Sequence, residues 1–412
     1  MAGNVVCVLG EGDRTVSQDS NSYSEAARAG DPLAIAQALV ATPSVNPVLE
    51  EGGAGEGAIA DLTAGWLREW GLEAETVEAT PGRWNVLARL GDPDAGPTVL
   101  LNGHLDTVGV AGMTIPPFGA EVRDGRLWGR GSCDMKGGVA SLLAAASRVA
   151  KWETLPGALL VVLTADEEHA SLGMDAVVRS GVRADAAVVC EPTSLAIMPA
   201  HKGFVWIDAL FRGRAAHGSR PELGVDAIEH AGRYLTRLGN LQAELNDKDP
   251  HPLLAHGSFH AGTISGGAAP SVYPSDCKLV LERRTLPGET PTRVMEEFQA
   301  VLDGLATEVS QLDAELVQGL TRPATEVPED SRLVQVLISA CSVQGVDPVV
   351  EGMTAWVDAA FLNEAGTPAV CFGPGSIGQA HSDDEWIQAS EISACADVLY
   401  QFVSDFMAGE DR

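Results

Sequence analysis

Acidic residues that could bind a cation or move a proton follow one apolar run of the sequence directly. The run VVLT is followed by Ala165 and then by Asp166, Glu167 and Glu168. Carboxylates this close repel one another, and one of them should hold its proton unless a positive charge lies nearby. Either the strand ends in solvent or a cation is bound there. Because adjacent side chains of an extended segment diverge, we expect Glu167 and Glu168 to have different tasks, one at a cation and the other at a substrate or water.

Four other segments carry residues of the same kind. His104 and Asp106 stand two positions apart in LLNGHLDTV, so an extended backbone would turn both to one face. A carboxylate beside a histidine can fix its tautomer and orient it as a metal ligand. Asp134 precedes a glycine-flanked helix start, where an ordinary N-cap is an equally good interpretation. Glu191 closes the run VVC, and His381 lies in the loop GQAHSDDEW.

The elements that must position these residues alternate between strands and helices. GPTVLLNGHLD, GALLVVLTADEE and ADAAVVCEPTS are apolar runs of strand length, whereas GAIADLTAGWLREWGL and GGVASLLAAASRVAKW have the apolar spacing of helices. Apolar strands separated by helices predict an α/β domain with a largely parallel sheet and helices on both faces. Ligands bind at the carboxyl ends of the strands in such sheets. The polar groups HLD, DEE and EP all fall there.

Together these residues predict a binuclear metal site. Histidines and carboxylates at one sheet edge form the mixed nitrogen and oxygen ligand set that zinc accepts. Five ligands that share one carboxylate would hold two divalent ions about 3.5–4 Å apart, a geometry suited to hydrolysis. Zinc is the expected metal, and cobalt and manganese tolerate the same ligands. The ions would neutralise the acidic cluster and lower the pKa of a bridging water.

A different pattern follows EPTSLAIMPA. Four predicted strands, GFVWIDALFRGR, HGSFHAGTISGG, SDCKLVLERRTL and AELVQGL, combine with two predicted helices in the order βαββαβ. The α/β pattern then resumes and ends in the helix EISACADVLYQFVSDFM. We therefore expect a catalytic domain formed by residues 1–198 and 321–412, interrupted at 199–320 by an inserted α+β lid or dimerisation domain.

Composition argues against several classes of partner. Lys and Arg number 27 against 57 Asp and Glu, and the net charge of −30 argues against nucleic acid and anionic membranes as partners. No apolar stretch approaches the roughly 20 residues that span a bilayer. The first 25 or so residues lack the features of a signal peptide and predict a frayed or locally ordered extension.

Seven cysteines without paired spacing predict reduced thiols, and the cytoplasm is the expected location. Cys133 and Cys190, each beside an expected ligand, are predicted to be small buried residues.

The ordered motifs resemble the dizinc metallopeptidase and aminoacylase family, which includes acetylornithine deacetylase, succinyl-diaminopimelate desuccinylase, aminoacylase and glutamate carboxypeptidase. The matching segments are LLNGHLDTV, GRGSCDMKGG, TADEE, CEPTS, AAHGSRPELGVDAI, LERRTLPGE and AHSDDE. They occur in the family's order and cover nearly the whole chain after Pro32. EPTSL followed by HKG is most similar to the acetylornithine deacetylase and desuccinylase branch, as is a Glu rather than Asp at the third ligand position.

This resemblance implies two zinc sites that share a bridging carboxylate. The ligands would be His104, Asp134 and Glu191 for one ion and Asp134, Glu168 and His381 for the other. Asp106 would orient His104. Glu167 would be the general base that takes a proton from the metal-bridging water and delivers it to the leaving amine. A cis peptide between Asp134 and Met135 is also implied.

Two residues of the inserted domain gain roles from the same resemblance. His217 would stabilise the tetrahedral oxyanion, typically from the neighbouring subunit, which implies a homodimer through the inserted domain. Arg284 would bind the substrate carboxylate, a bidentate task suited to guanidinium. Ser271 stands where relatives often have Asn, and Glu282 replaces the usual Asp. Both departures affect the expected specificity rather than the metal chemistry.

The leading hypothesis is metal-dependent hydrolysis of the amide bond of a small N-acyl amino acid or short peptide. Within the family, the alternative is a metallo-exopeptidase, either a carboxypeptidase or a dipeptidase. A glycosidase could pair Glu167 with Asp134 or Glu191, but it leaves the two histidines unexplained. A non-catalytic binding protein with a relic site is disfavoured because every expected ligand and base position is filled.

Overall fold

The computed structural model describes residues 25–409, so the predicted N-terminal extension lies almost wholly outside the described part of the chain. The helices are α1 (Glu25–Arg28), α2 (Pro32–Ala41), α3 (Gly57–Glu69), α4 (Gly137–Val149), α5 (Leu172–Arg179), α6 (Ala227–Asn246), α7 (Pro291–Ala306), α8 (Arg332–Val343), α9 (Ala359–Glu364) and α10 (Ala389–Ala408). The strands are β1 (Glu73–Thr80), β2 (Arg83–Gly91), β3 (Thr98–His104), β4 (Glu121–Arg123), β5 (Arg126–Trp128), β6 (Ala158–Thr164), β7 (Ala186–Val189), β8 (Ile197–His201), β9 (Gly203–Arg212), β10 (Ser258–Gly266), β11 (Asp276–Thr285), β12 (Asp313–Arg322), β13 (Thr325–Glu326), β14 (Val350–Met353), β15 (Ala369–Cys371) and β16 (Trp386–Gln388).

A nine-stranded sheet forms the centre of the molecule, in the order β1–β2–β6–β3–β7–β15–β8–β13, with β14 paired to β8. Its middle strands β6, β3, β7 and β15 are parallel, whereas the β1–β2, β2–β6 and β15–β8 pairs are antiparallel. Every residue of β3 is buried, as expected for a strand covered on both faces. The predicted fold class is confirmed, although the hairpin β1–β2 was not among the predicted strands.

The register of the parallel strands brings their carboxyl ends to one edge. His104, the last residue of β3, is the Cα partner of Thr164, the last residue of β6. On the other side of β3, Asn102 is paired with Val189 at the end of β7. The segments that follow these strands therefore start side by side.

Helix α4 packs between the sheet and the helices α2 and α10. Twelve of its thirteen residues are buried. A Cβ added at Gly138 would lie 2.0 Å from the carbonyl oxygen of Cys190, so the glycine permits the close approach of helix and strand. Cys190 and Cys133 are fully buried, and all six cysteines of the described range are unpaired.

A second sheet, in the order β10–β11–β9–β12, is antiparallel throughout. Helices α6 and α7 pack against it, so the chain order is βαββαβ as predicted. The apolar side chains of this unit form a hydrophobic cluster of their own, separate from those of the large sheet. A single residue separates the end of β8 from the start of this unit, and the unit ends shortly before β13. His201 of β8 is the Cα partner of Thr325 of β13. Its first and last residues therefore lie close together.

A small three-stranded sheet, β16–β5–β4, joins the C-terminal part of the chain to the segment before α4. Trp386 and Trp128 are Cα partners in it, with ring centroids 6.2 Å apart. This sheet was not predicted, because its strands are only three residues long. Over residues 25–409, none of the helices has the length and apolar character to cross a membrane.

Candidate active site

The segments after the central strands bring the five predicted ligands into two groups. The first group is His104, Asp134 and Glu191, and the second is Asp134, Glu168 and His381. Within each group the ligand atoms all lie within 4.8 Å of one another. These are the two groups that the family resemblance implies, with Asp134 common to both.

Asp134 presents one carboxylate oxygen to each histidine. Its Oδ1 lies 3.0 Å from Nε2 of His104, and its Oδ2 lies 3.4 Å from Nε2 of His381. Nε2 of His381 is also 3.0 Å from Oε2 of Glu168. A carboxylate whose two oxygens face two different histidines is suited to bridging a pair of cations.

Two buried carboxylate oxygens of the cluster have no hydrogen-bond donor among residues 25–409. They are Oε1 of Glu168 and Oε1 of Glu191. A buried carboxylate oxygen without a donor is costly unless a cation compensates it. With the two histidines, these oxygens make a donor set that fits divalent zinc or a similar ion.

Most carboxyl and imidazole groups of the cluster have raised pKa values, as crowding of buried carboxylates produces. Burial and the charge of Asp134 raise the pKa of Glu168 to about 7 and that of Glu191 to about 8. Burial and the charge of Glu191 raise the pKa of Glu167 well above its usual value. Hydrogen bonds to Asp134 and Glu168 raise the pKa of His381 to about 10. The site therefore favours a bound positive charge, either protons or metal ions.

The three adjacent acids after β6 have separate surroundings. Asp166 turns away from the ligands, and its Oδ1 accepts hydrogen bonds from Arg83 at 2.5 Å and from Asn46 at 3.0 Å. Glu167 and Glu168 instead line a cavity next to the ligands. The segment is a turn rather than the extended chain expected, so its two glutamates share the cavity instead of pointing apart.

Asp106 supports this turn more directly than it supports His104. Its carboxylate accepts hydrogen bonds from the backbone N–H groups of Glu167 at 3.1 Å and Glu168 at 3.4 Å, and from Asn46 at 2.8 Å. Nδ1 of His104 lies 3.0 Å from the backbone carbonyl oxygen of Asp106 and 3.7 Å from its carboxylate. The carbonyl is thus the nearer acceptor that can fix the histidine tautomer.

The loop that carries Asp134 is held by Glu385, which the sequence analysis missed. Its carboxylate accepts hydrogen bonds from the backbone N–H groups of Gly131, Cys133 and Asp134 at 2.8–3.0 Å, and from Arg130 at 2.8 Å. Glu385 follows the predicted His381 by four positions in HSDDE. Its nearness to His381 in the sequence was the only feature that could have indicated this role. The implied cis peptide after Asp134 is present.

A cavity of about 300 Å³ lies between the two sheets beside the ligands. Its lining combines the acidic cluster with residues of the second sheet and of the segment before α9. Its lining includes the aromatic side chains of Phe204 and Trp356 and the guanidinium groups of Arg284 and Arg322. Nε of Arg284 donates to Oε1 of Glu282 at 2.7 Å, so the departure at 282 supports this arginine.

His217 does not join this cavity. It lies in an exposed loop, where its Nδ1 is 2.8 Å from Oγ of Ser219. An isolated bridge pairs it with Val272, and the N–H of Gly218 donates to the carbonyl oxygen of Ser271 at 2.7 Å. Ser271 is therefore a neighbour of the His217 loop and not of the cavity in the same subunit.

Comparison with known proteins identifies the family of the chain. Residues 100–405 match the model of peptidase family M20/M25/M40. The chain belongs to this family. The match spans most of the chain, and members of the family are metal-dependent hydrolases of amide bonds. This M20 membership sets the glycosidase alternative aside.

Individual relatives are similar to the chain in sequence, and solved structures share its fold. Acetylornithine deacetylase of Myxococcus xanthus is 33% identical over 329 residues, which cover 79% of this chain and 84% of that protein. Acetylornithine deacetylase of Proteus mirabilis is 31% identical over 383 residues, covering 90% and 96%. A tripeptidase from Staphylococcus aureus shares the fold with a TM-score of 0.76 at 20% identity, covering 92% and 98%. A dinuclear metal-binding M20 peptidase from Bacillus subtilis has a TM-score of 0.72 at 16% identity, covering 93% and 99%.

Proposed function

We propose that this M20 chain removes the acyl group from an N-acyl amino acid at a binuclear metal site. The observation that carries the proposal is the bridging position of Asp134, with one oxygen toward His104 and the other toward His381, beside a cavity that Glu167 lines. The ligands would be the two groups described above. Divalent ions bound there, with zinc the expected species, would supply Lewis-acid polarisation of the amide carbonyl and a lower pKa for water.

Glu167 is the proposed general base. It lines the cavity without belonging to either ligand group, and burial with the charge of Glu191 raises its pKa well above the usual value. A carboxylate with a raised pKa is a stronger base and a suitable acid for the return step. Glu167 would accept a proton from the attacking water and deliver it to the nitrogen of the leaving amine.

Arg284 is the proposed partner of the substrate α-carboxylate. Its Nε is engaged by Glu282, which leaves the two terminal nitrogens for a bidentate contact in the cavity. Because Arg284 belongs to the second sheet and the ligands belong to the large sheet region, a substrate held by both would lie across the cavity between them.

His217 is proposed to act in a partner subunit. It is exposed and lies outside the cavity of its own chain, so an oxyanion role requires a second copy that presents the loop. We accordingly propose a cytoplasmic homodimer that associates through the inserted domain, with 199–320 as that domain and 1–198 and 321–412 as the catalytic domain.

A substrate panel tests the proposal. The purified protein, stripped with chelator and reloaded with zinc, cobalt or manganese, is assayed on N-acetyl amino acids, N-succinyl amino acids and dipeptides. We expect hydrolysis of N-acyl amino acids that disappears with chelator and returns with metal. Faster cleavage of dipeptides than of every acyl amino acid would favour the exopeptidase alternative. A protein that binds no metal would favour the relic site.

A further inference from the structure

Two arginines reach the active-site cavity from strands on either side of β9. Phe204 of β9 is the Cα partner of Arg284 in β11 and of Arg322 in β12. Directly opposed residues of antiparallel strands project to the same face of a sheet. Two strand spacings separate the arginines, so their Cα atoms lie about 10 Å apart. Both side chains line the same cavity.

Within the described part of the chain, the hydrogen bonds of the Arg322 side chain go to backbone carbonyl oxygens. Its Nη2 donates to the carbonyl oxygen of Ala170 at 2.7 Å and its Nη1 to the carbonyl oxygen of Thr321 at 3.0 Å. Each terminal nitrogen carries a second N–H that these bonds leave free. Over residues 25–409, no Asp or Glu oxygen lies within 4.0 Å of a guanidinium nitrogen of Arg322. Burial lowers the pKa of this guanidinium, and the more distant charges of Asp358, Asp175 and Glu364 only partly oppose that shift.

Aromatic rings hold the Arg322 guanidinium in place. It lies 5.5 Å from the ring centroid of Trp356 and 5.2 Å from that of Phe361. Trp356 is in turn 6.2 Å from Phe204 between ring centroids, in an edge-to-face arrangement. Stacking on aromatic rings restrains the planar group, so Arg322 is a preorganised donor rather than a mobile surface side chain.

The carboxylates at the cavity are already committed to other tasks. Those that line it are Asp134, Glu167, Glu168 and Glu191, and all of them belong to the proposed ligands or the proposed base. Nearby, Glu282 accepts hydrogen bonds from Arg284 and from Nε1 of Trp206. A substrate ammonium group would therefore meet Arg322 without a carboxylate to bind it, whereas a second anion would meet free N–H donors.

We infer that Arg322 binds a second anionic group, so that the substrate is an N-acyl amino acid with two carboxylates. This inference rests on the proposed function, in which Arg284 holds the α-carboxylate, and it specifies the substrate class. The second carboxylate belongs either to the amino-acid side chain or to a dicarboxylic acyl group, because both present the same chemistry to the guanidinium. N-acetylornithine, with a cationic side chain, is correspondingly a poor substrate.

Matched substrates test this inference and distinguish the two possible positions of the second carboxylate. N-acetylglutamate carries the second carboxylate on its side chain, whereas N-succinylnorvaline carries it on the acyl group. N-acetylglutamine is the neutral counterpart and N-acetylornithine the cationic one. We expect kcat/KM for one of the diacids to exceed that for N-acetylglutamine by about tenfold to a hundredfold, the usual effect of a charge-assisted hydrogen bond. A preference for the neutral or cationic compound over both diacids would overturn the inference.

Substitution of the arginine ties the preference to this residue. Arg322→Met keeps an apolar stem against Trp356 and removes the charge. This variant should bring the ratio of kcat/KM between diacid and neutral substrate close to one. Arg322→Lys should retain part of the preference for the diacid. A loss of folded protein cancels in this ratio. Arg293→Met, at an exposed position of α7, is the control and should keep the wild-type ratio. An unchanged ratio in Arg322→Met contradicts the inference.

Binding measurements keep this test separate from that of the proposed function. Titration calorimetry with the zinc-loaded Glu167→Gln protein compares N-acetylglutamate, N-succinylnorvaline and N-acetylglutamine, with and without Arg322→Met. Tighter binding of a diacid that weakens about tenfold or more on loss of Arg322 supports the inference even if no acyl amino acid is hydrolysed. Equal binding of diacids and neutral compound rejects it, even if the wild-type enzyme deacylates other substrates.

Discussion

Glu167 and Glu168 are adjacent in the chain but differ in the chemistry we propose for them. Glu167→Gln should retain both metal ions, because the five ligands survive, while kcat falls by roughly 10² or more through loss of the general base. The measurement is turnover combined with metal content by atomic spectroscopy. Glu168→Gln is the matched comparison and should lower metal affinity instead. Near-normal turnover of the Glu167 variant would contradict its role.

Metal binding should strengthen as the pH rises. Glu168 and Glu191, with pKa values raised to about 7 and about 8, are protonated below those values and must lose the proton to bind a metal ion. Each proton displaced increases metal affinity about tenfold per pH unit below the ligand pKa. Competition titrations of zinc into metal-free protein at pH 6, 7 and 8 measure this effect. Affinity independent of pH would show that these carboxylates are not ligands.

The candidate ligand residues could be selected from the sequence only as a set, and their supporting contacts could not be predicted. Histidine and carboxylate at the ends of apolar runs are visible in sequence, since the side-chain type carries the chemistry. Asp166 looks the same as its neighbours, yet it pairs with Arg83, which is 83 positions away and also binds Glu56. Nothing in the local sequence distinguishes the acid that faces the cation site from the one that forms a buried ion pair.

At the scale of elements, the sheet β16–β5–β4 fixes the loop of the bridging ligand through Glu385. Replacing Glu385 by Gln removes the charge and turns an N–H donor toward the backbone N–H groups of Gly131, Cys133 or Asp134. We expect metal affinity to fall about tenfold to a hundredfold, as for other residues that orient ligands. Equilibrium dialysis with zinc measures it. Asp384→Asn, at the exposed neighbouring position, should leave affinity unchanged, and equal effects of both variants would refute the positioning role.

The long helices and strands could be predicted from the periodicity of apolar residues. The short strands could not, because they form through pairing with distant parts of the chain. Strand β6 is a continuous apolar run and α4 an apolar helix, so both were predicted. Strand β1, with the sequence EAETVEAT, carries several acids and is nowhere fully buried; it forms a strand because β2 pairs with it over most of its length. Similarly, β13 has two residues and exists through its pairing with β8.

At the scale of the whole molecule, His217 predicts activity that depends on assembly. His217→Ala and Glu167→Gln should each be nearly inactive as pure proteins. If His217 serves the partner's cavity, a mixed dimer contains one site with both residues intact, and unfolding and refolding the two variants together should restore up to about a quarter of wild-type turnover. Sedimentation velocity establishes the oligomer. No recovery on mixing, in a protein shown to be dimeric, would exclude action across the interface.

The meeting of the β8 and β13 ends makes the catalytic region separable from the unit between them. His201 and Thr325 are directly opposed on antiparallel strands, so a two-residue Asn-Gly turn could replace residues 202–324 and close a tight hairpin. All five ligands and Glu167 lie outside the excised span, and that span has its own hydrophobic cluster. The shortened chain should fold and take up two zinc ions per molecule while showing no measurable turnover, because Arg284 is gone. Metal binding and substrate selection would then belong to separable parts of the chain.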